Sequence, residues 1–127
     1  AIIHKVHQAK IIGKQSVEIW GDGSARREFM YIEDLADAIY FALESISDIP
    51  DLMNIGVGTD YTIKEYYESV ALVVGWQGEF VFDYSKPTGM AQKLSDTSLQ
   101  LKWGWQPKTT LKEGISSTYK YYLENVF

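Results

Sequence analysis

The chain has 127 residues, 46% of them hydrophobic and 23% charged, which is the size and mix of one soluble globular domain or part of one. Lys and Arg number 12 against 17 Asp and Glu, a formal charge of −5; this argues against general nucleic-acid binding but leaves room for a local cationic patch that takes a small anion. The absence of cysteine removes disulfides, thiolate metal sites and a cysteine nucleophile, and no apolar run approaches the ~18 residues of a membrane-spanning helix, so a cytoplasmic protein with no membrane partner is expected.

The first residues, Ala1-Ile-Ile-His-Lys5, carry no initiator Met and no signal-peptide pattern, and predict a chain that opens inside a helix as a segment of something longer. Ile2, Ile3, Val6 and Ala9 recur at helical spacing, and Gly13 marks a stop. Ser16 to Trp20 reads as a strand, Gly21-Asp-Gly23 as a turn, and Glu28 to Ile32 as a second strand. Asp34 is expected to cap a helix that turns Leu35, Ala38, Ile39, Ala42 and Leu43 inward and ends before Pro50. Leu52 to Val57 reads as a third strand. Thr62-Ile-Lys-Glu65 has the capping-box pattern and opens a helix that runs to about Gly75. Glu79 to Asp83 reads as a fourth strand and Ser85 to Ser95 as a loop. A short helix starting at Asp96 or Thr97 should stop at Gly104, and Thr110-Leu-Lys-Glu113 opens a last helix with Leu111, Ile115, Tyr119 and Tyr122 on one side. The alternation defines an α/β class: a small domain of short strands with flanking helices.

Most candidate motifs fail their own spacing tests. Gly56-Val-Gly58 follows a strand, but Tyr61 stands where a dinucleotide loop needs its third glycine, so a strand-end turn is expected. His4 and His7 would need a third ligand from elsewhere to hold zinc, and no carboxylate is placed to suggest one; they read as a partly exposed helix face and not as a metal site. No lysine has a tyrosine four residues before it, so the Tyr-Lys pair of short-chain dehydrogenases is absent. What remains is a set of cations and one ring: Lys5, Trp20, Arg26, Arg27, Lys86 and Lys93. Guanidinium forks and ammonium charges suit phosphate, and an indole face suits a base or a sugar. The plainer alternative is that the charges are solvated and Trp20 lies in the core.

Read together, the segments resemble the GDP-L-fucose synthase family of extended short-chain dehydrogenases. The resemblance runs along the whole chain: Trp20-Gly-Asp-Gly, Arg27-Glu-Phe-Met-Tyr-Ile-Glu-Asp34, Asn54-Ile-Gly-Val-Gly58, Val81-Phe-Asp-Tyr-Ser-Lys86-Pro-Thr-Gly89, Lys93-Leu-Ser-Asp96 and Gly104-Trp105 with Pro107. It implies that residues 1–127 are the C-terminal, substrate-binding portion of an enzyme whose N-terminal Rossmann fold holds NADP and the catalytic residues upstream of Ala1. No catalytic residue and no cofactor site is then expected in this segment. Residues 34–58 are expected to pack on the Rossmann part, and the intact protein to be a homodimer. The resemblance makes Lys5, Trp20 and Arg27 contacts to a GDP-sugar, with Thr88 and Lys93 as weaker candidates. Thr88 stands where the family has Asp, and Ala91-Gln-Lys93 where it usually has Pro-Arg-Lys. A carboxylate becomes a hydroxyl and one cation is lost, which bears on binding strength or on the nucleotide chosen. Two rival readings stay open: an epimerase or dehydratase using a dTDP- or UDP-sugar, and a non-catalytic interaction module.

Overall fold

The computed structural model describes residues 1–126. Five helices and five short strands follow in the order α1 (Ile2–Ile11), β1 (Ser16–Trp20), β2 (Arg26–Arg27), α2 (Ile32–Glu44), β3 (Tyr61–Thr62), α3 (Ile63–Val74), β4 (Glu79–Asp83), β5 (Gln92–Lys93), α4 (Ser98–Trp103) and α5 (Leu111–Asn125). The α/β class holds. The strands make two sheets: β1 pairs with β4 in parallel, and β2 lies between antiparallel β3 and parallel β5.

The core lies where α1, α3 and α5 cover the β1–β4 ribbon. Alternation along β1 sends Val17 and Ile19 inward, and Val6, Ala9, Val70, Val74 and Ile115 meet them from the helices. Rings complete the packing, with Trp76 and Tyr67 both against Phe80. Both expected capping boxes are formed: Glu65 N–H donates to the Thr62 hydroxyl, and Glu113 N–H to that of Thr110. α3 ends at Gly75 and α4 at Gly104, each in the left-handed region.

Several expectations need correction, among them the loop read at residues 85–95, which carries β5 because Gln92 and Lys93 pair with Arg26 and Arg27. The second strand is Arg26–Arg27, where the ladder partners lie; residues 28–31 carry no ladder and Ile32 already belongs to α2. Residues 52–57 form no ladder either, and are held instead by side chains. Asp34 is not a cap. It lies inside the first turn of α2, buried, with its carboxylate accepting the N–H groups of Lys108 and Thr109 at 3.2 Å each. Of the stripe expected to face inward on α2, Ala38 is buried and Ala42 half-buried, while Ile39 and Leu43 are 56% and 66% exposed; α2 meets the segment around 103–109 through Asp37 and Phe41.

Ile19 is fully buried at the centre of the core, so its truncation leaves a cavity. Ile19→Ala should lower stability by about 2–5 kcal/mol, read as a shift of the urea midpoint of the full-length protein.

Candidate functional site

Trp20 ends β1 with its indole 62% exposed, which excludes the core alternative for this ring. It leaves the sheet because β1 alternates, Val17 and Ile19 pointing in and Glu18 and Trp20 out. Its Nε1–H donates to a Glu18 carboxylate oxygen at 3.1 Å. Lys5 approaches β1 from α1: its ammonium donates to the Glu18 carbonyl and lies 6.0 Å from the centre of the Tyr67 ring.

Segment 84–91 runs from Trp20 to Arg27. An Asp83 carboxylate oxygen starts it by accepting the N–H and hydroxyl of Ser85, at 3.0 and 2.6 Å. The Lys86 ammonium then lies 5.8 Å from the centre of the Trp20 ring. Thr88 rests on the turn that follows Trp20; a Cβ on Gly21 would come within 2.5 Å of the Thr88 methyl, and Gly21 has φ +70°. At the far end the Arg27 guanidinium donates to the Met90 carbonyl at 2.8 Å. Trp20, Lys86, Thr88 and Arg27 therefore belong to one continuous surface. Lys93 joins it as the register partner of Arg27 on β5.

The backbone of Arg27 is fixed from beneath. Tyr66 donates its hydroxyl to the Arg27 carbonyl at 2.9 Å and accepts the Phe29 N–H at 3.2 Å, and burial raises the pKa of this phenol. Arg26 points the other way. It donates from Nε to Asp60 Oδ1 at 2.8 Å and from Nη2 to the Asp60 carbonyl at 2.8 Å, while Gln92 donates to Asp60 Oδ2 at 2.6 Å. The Arg26 hydrogen bond, with that of Gln92 behind it, holds the Asp60 carboxyl below its ordinary pKa. Gln92 thus serves Asp60, on the face away from Arg27.

An apolar cavity of about 750 Å³ lies elsewhere, between α1, α5 and the segment 29–31. None of the five candidate residues lines it, but Tyr61, the register partner of Arg27 on β3, does. His4 also borders it, hydrogen-bonded to Tyr122 at 2.8 Å; His7 is not part of an exposed face but buried, 2.9 Å from the Tyr119 hydroxyl, with its pKa lowered chiefly by burial. No helix among the described residues is long and apolar enough to cross a membrane.

Sequence reasoning missed Glu28, Asp60 and Gln100. Glu28 and Gln100 turn onto backbone far along the chain and Asp60 onto the side chains of Arg26 and Gln92, partners that no local spacing records. Gln100 is the clearest: buried, it accepts the Gly56 N–H at 2.8 Å and donates to the Gly56 carbonyl at 3.0 Å.

Residues 1–56 match the model of the NAD dependent epimerase/dehydratase family. Nearly the whole chain is similar to two GDP-sugar enzymes: it is 52% identical to a GDP-L-fucose synthase of Azorhizobium caulinodans and 50% identical to a GDP-L-colitose synthase of Yersinia pseudotuberculosis, over 97% of this chain in both cases. It spans about two fifths of their length, 39% and 40%. The fold also matches a GDP-mannoheptose C4 reductase of Campylobacter jejuni with NADP bound, at TM-score 0.85 and 36% identity over 96% of this chain and 43% of that one.

Because the Asp60 pKa is depressed in the folded chain, its ion pair stabilises above the ordinary carboxylate range and is lost as pH falls through the folded value. The stability gap between the wild type and Asp60→Asn should be open at pH 7 and narrow below about pH 4. Urea midpoints across that range check this; an equal gap at pH 3 would assign the effect to shape and not to charge.

Proposed function

We propose that the chain is the nucleotide-sugar-binding portion of an NADP-dependent epimerase-reductase that converts GDP-4-keto-6-deoxymannose to GDP-L-fucose. The observation that carries this reading is segment 84–91, which reaches from the exposed indole of Trp20 to the guanidinium of Arg27 and makes one surface of a flat ring and a cation. A nucleotide-sugar presents a flat base and a diphosphate. Arg27 pairs with the diphosphate, Lys5 and Lys93 add positive charge, and Trp20 bounds the base or the sugar. Thr88 lies at the turn beside Trp20, where its hydroxyl is a neutral contact for the ligand.

The chemistry belongs to the N-terminal part of the intact protein. Epimerisation removes protons next to the ketone, and reduction needs hydride from the nicotinamide. This portion supplies orientation, holding the sugar over the cofactor. The exposed stripe of α2 and the apolar cavity at Phe29, Tyr31 and Tyr61 support the packing of residues 34–58 and their surroundings against that Rossmann part. Similarity to a GDP-L-colitose synthase, at nearly the same identity as to a fucose synthase, favours a second reading in which GDP is kept and the sugar differs.

Arg27→Ala in the full-length protein should weaken GDP binding by an order of magnitude or more, about the value of one charge-assisted hydrogen bond. Calorimetry with GDP, UDP and dTDP checks both points: an unchanged GDP constant removes Arg27 from the site, and tighter UDP or dTDP binding removes the guanine nucleotide. Residues 1–127 alone should oxidise no NADPH with GDP-4-keto-6-deoxymannose; any such turnover, followed by absorbance, would overturn the division of labour.

A further inference from the structure

We infer that Glu28 is a positioning residue: its carboxylate clasps two distant backbone segments and thereby sets Arg27 and Lys93 side by side as one anion-binding pair. This rests on the nucleotide reading given above. One Glu28 oxygen accepts the Gly58 N–H at 2.6 Å, and the other accepts the Ser95 N–H at 2.9 Å. Three pieces of chain meet at this carboxylate: the exit of β2, the loop after Asn54, and the exit of β5. The space is closed. A Cβ on Gly56 would come within 2.6 Å of a Glu28 oxygen and 2.8 Å of the Ser95 Cβ.

β5 is only Gln92–Lys93, and a pair of two-residue strands has few ladder bonds to fix its register. The Arg26–Asp60–Gln92 group fastens one face of that pair. Glu28 fastens its end, next in sequence to Arg27 and, through Ser95, two residues beyond Lys93. Arg27 and Lys93 are register partners, so their side chains share the opposite face. Two like charges repel there, and rigid backbone on both sides is what keeps them adjacent before an anion arrives. Although burial raises the Glu28 pKa, the bonds from Ser95, Gly58 and Val57 outweigh it and hold the group below its ordinary value, so it is ionised at neutral pH. With both oxygens engaged by backbone, Glu28 acts through Arg27 and Lys93 and not on the substrate. A glutamine cannot replace it, since its NH2 would meet an N–H donor; an aspartate is one methylene too short to span both amides.

The test is a double-mutant cycle on GDP affinity in the full-length protein. Lys93→Ala should weaken GDP roughly tenfold in the wild-type background, and Glu28→Gln alone roughly tenfold. In the Glu28→Gln background the Lys93→Ala loss should shrink to about twofold or less, because the lysine has already lost its place. Fully additive losses, or an unchanged affinity in Glu28→Gln, would overturn the clasp. A merely structural role would lower the melting temperature of Glu28→Gln and leave the losses additive. If Glu28→Gln does not fold, Glu28→Asp keeps the charge but cannot span both amides; it should show coupling to Lys93→Ala of the same sign, and its absence overturns the proposal equally. If neither Arg27→Ala nor Lys93→Ala alters GDP affinity, the nucleotide reading fails first and the clasp has no anion to serve.

Discussion

Strand β2 is two residues long, and its alternation sends neighbouring arginines to opposite faces of a three-stranded sheet. Arg26 turns to Asp60 and ties β2 to β3 and, through Gln92, to β5. Arg27 turns to the other face, where the surface that begins at Trp20 ends. Both depend on the same short piece of backbone, so the stability of the small sheet and the placing of the candidate ligand contact are one constraint. A buried carboxylate makes that constraint stiff, because Asp60 loses far more if one partner leaves than it gains from either alone.

The site is assembled from segments that are not regular structure. The Gly21–Gly23 turn, residues 84–91 and the loop after Asn54 carry few ladder bonds, and polar side chains reach across to hold them. The Asp83–Ser85 and Asp96–Ser98 turns are local examples of that economy. Tyr66, Glu28 and Gln100 are its long-range counterparts.

Elements whose cause is local could be read from the sequence. The two capping boxes, the glycine ends of α3 and α4, and the alternating β1 are all set by residues within a few positions of one another. What could not be read depends on partners far along the chain. Asp34 has a residue type suited to a cap, but the amides of Lys108 and Thr109 claim it inside the helix. The apolar stripe of α2 has a core-facing period, yet nothing among residues 1–126 covers Ile39 or Leu43. β5 is too short to have a period at all, and Gln92 looks like a lost cation until its contact with Asp60 is seen. At the candidate site the residue types were legible in Trp20, Arg27 and Lys93, whereas the residues that hold them were not, since a side chain that serves backbone leaves no motif.

The strap over residues 84–91 has a kinetic meaning. It is tethered at Asp83, at Gly21 and at the Arg27 guanidinium before any ligand is present, so little chain has to be ordered when one arrives. Lys86 lies over the indole face that the proposed ligand would take, and rearranging one flexible side chain takes nanoseconds or less. Under the proposed reading, ionic strength would slow capture by screening the guanidinium and the ammonium groups.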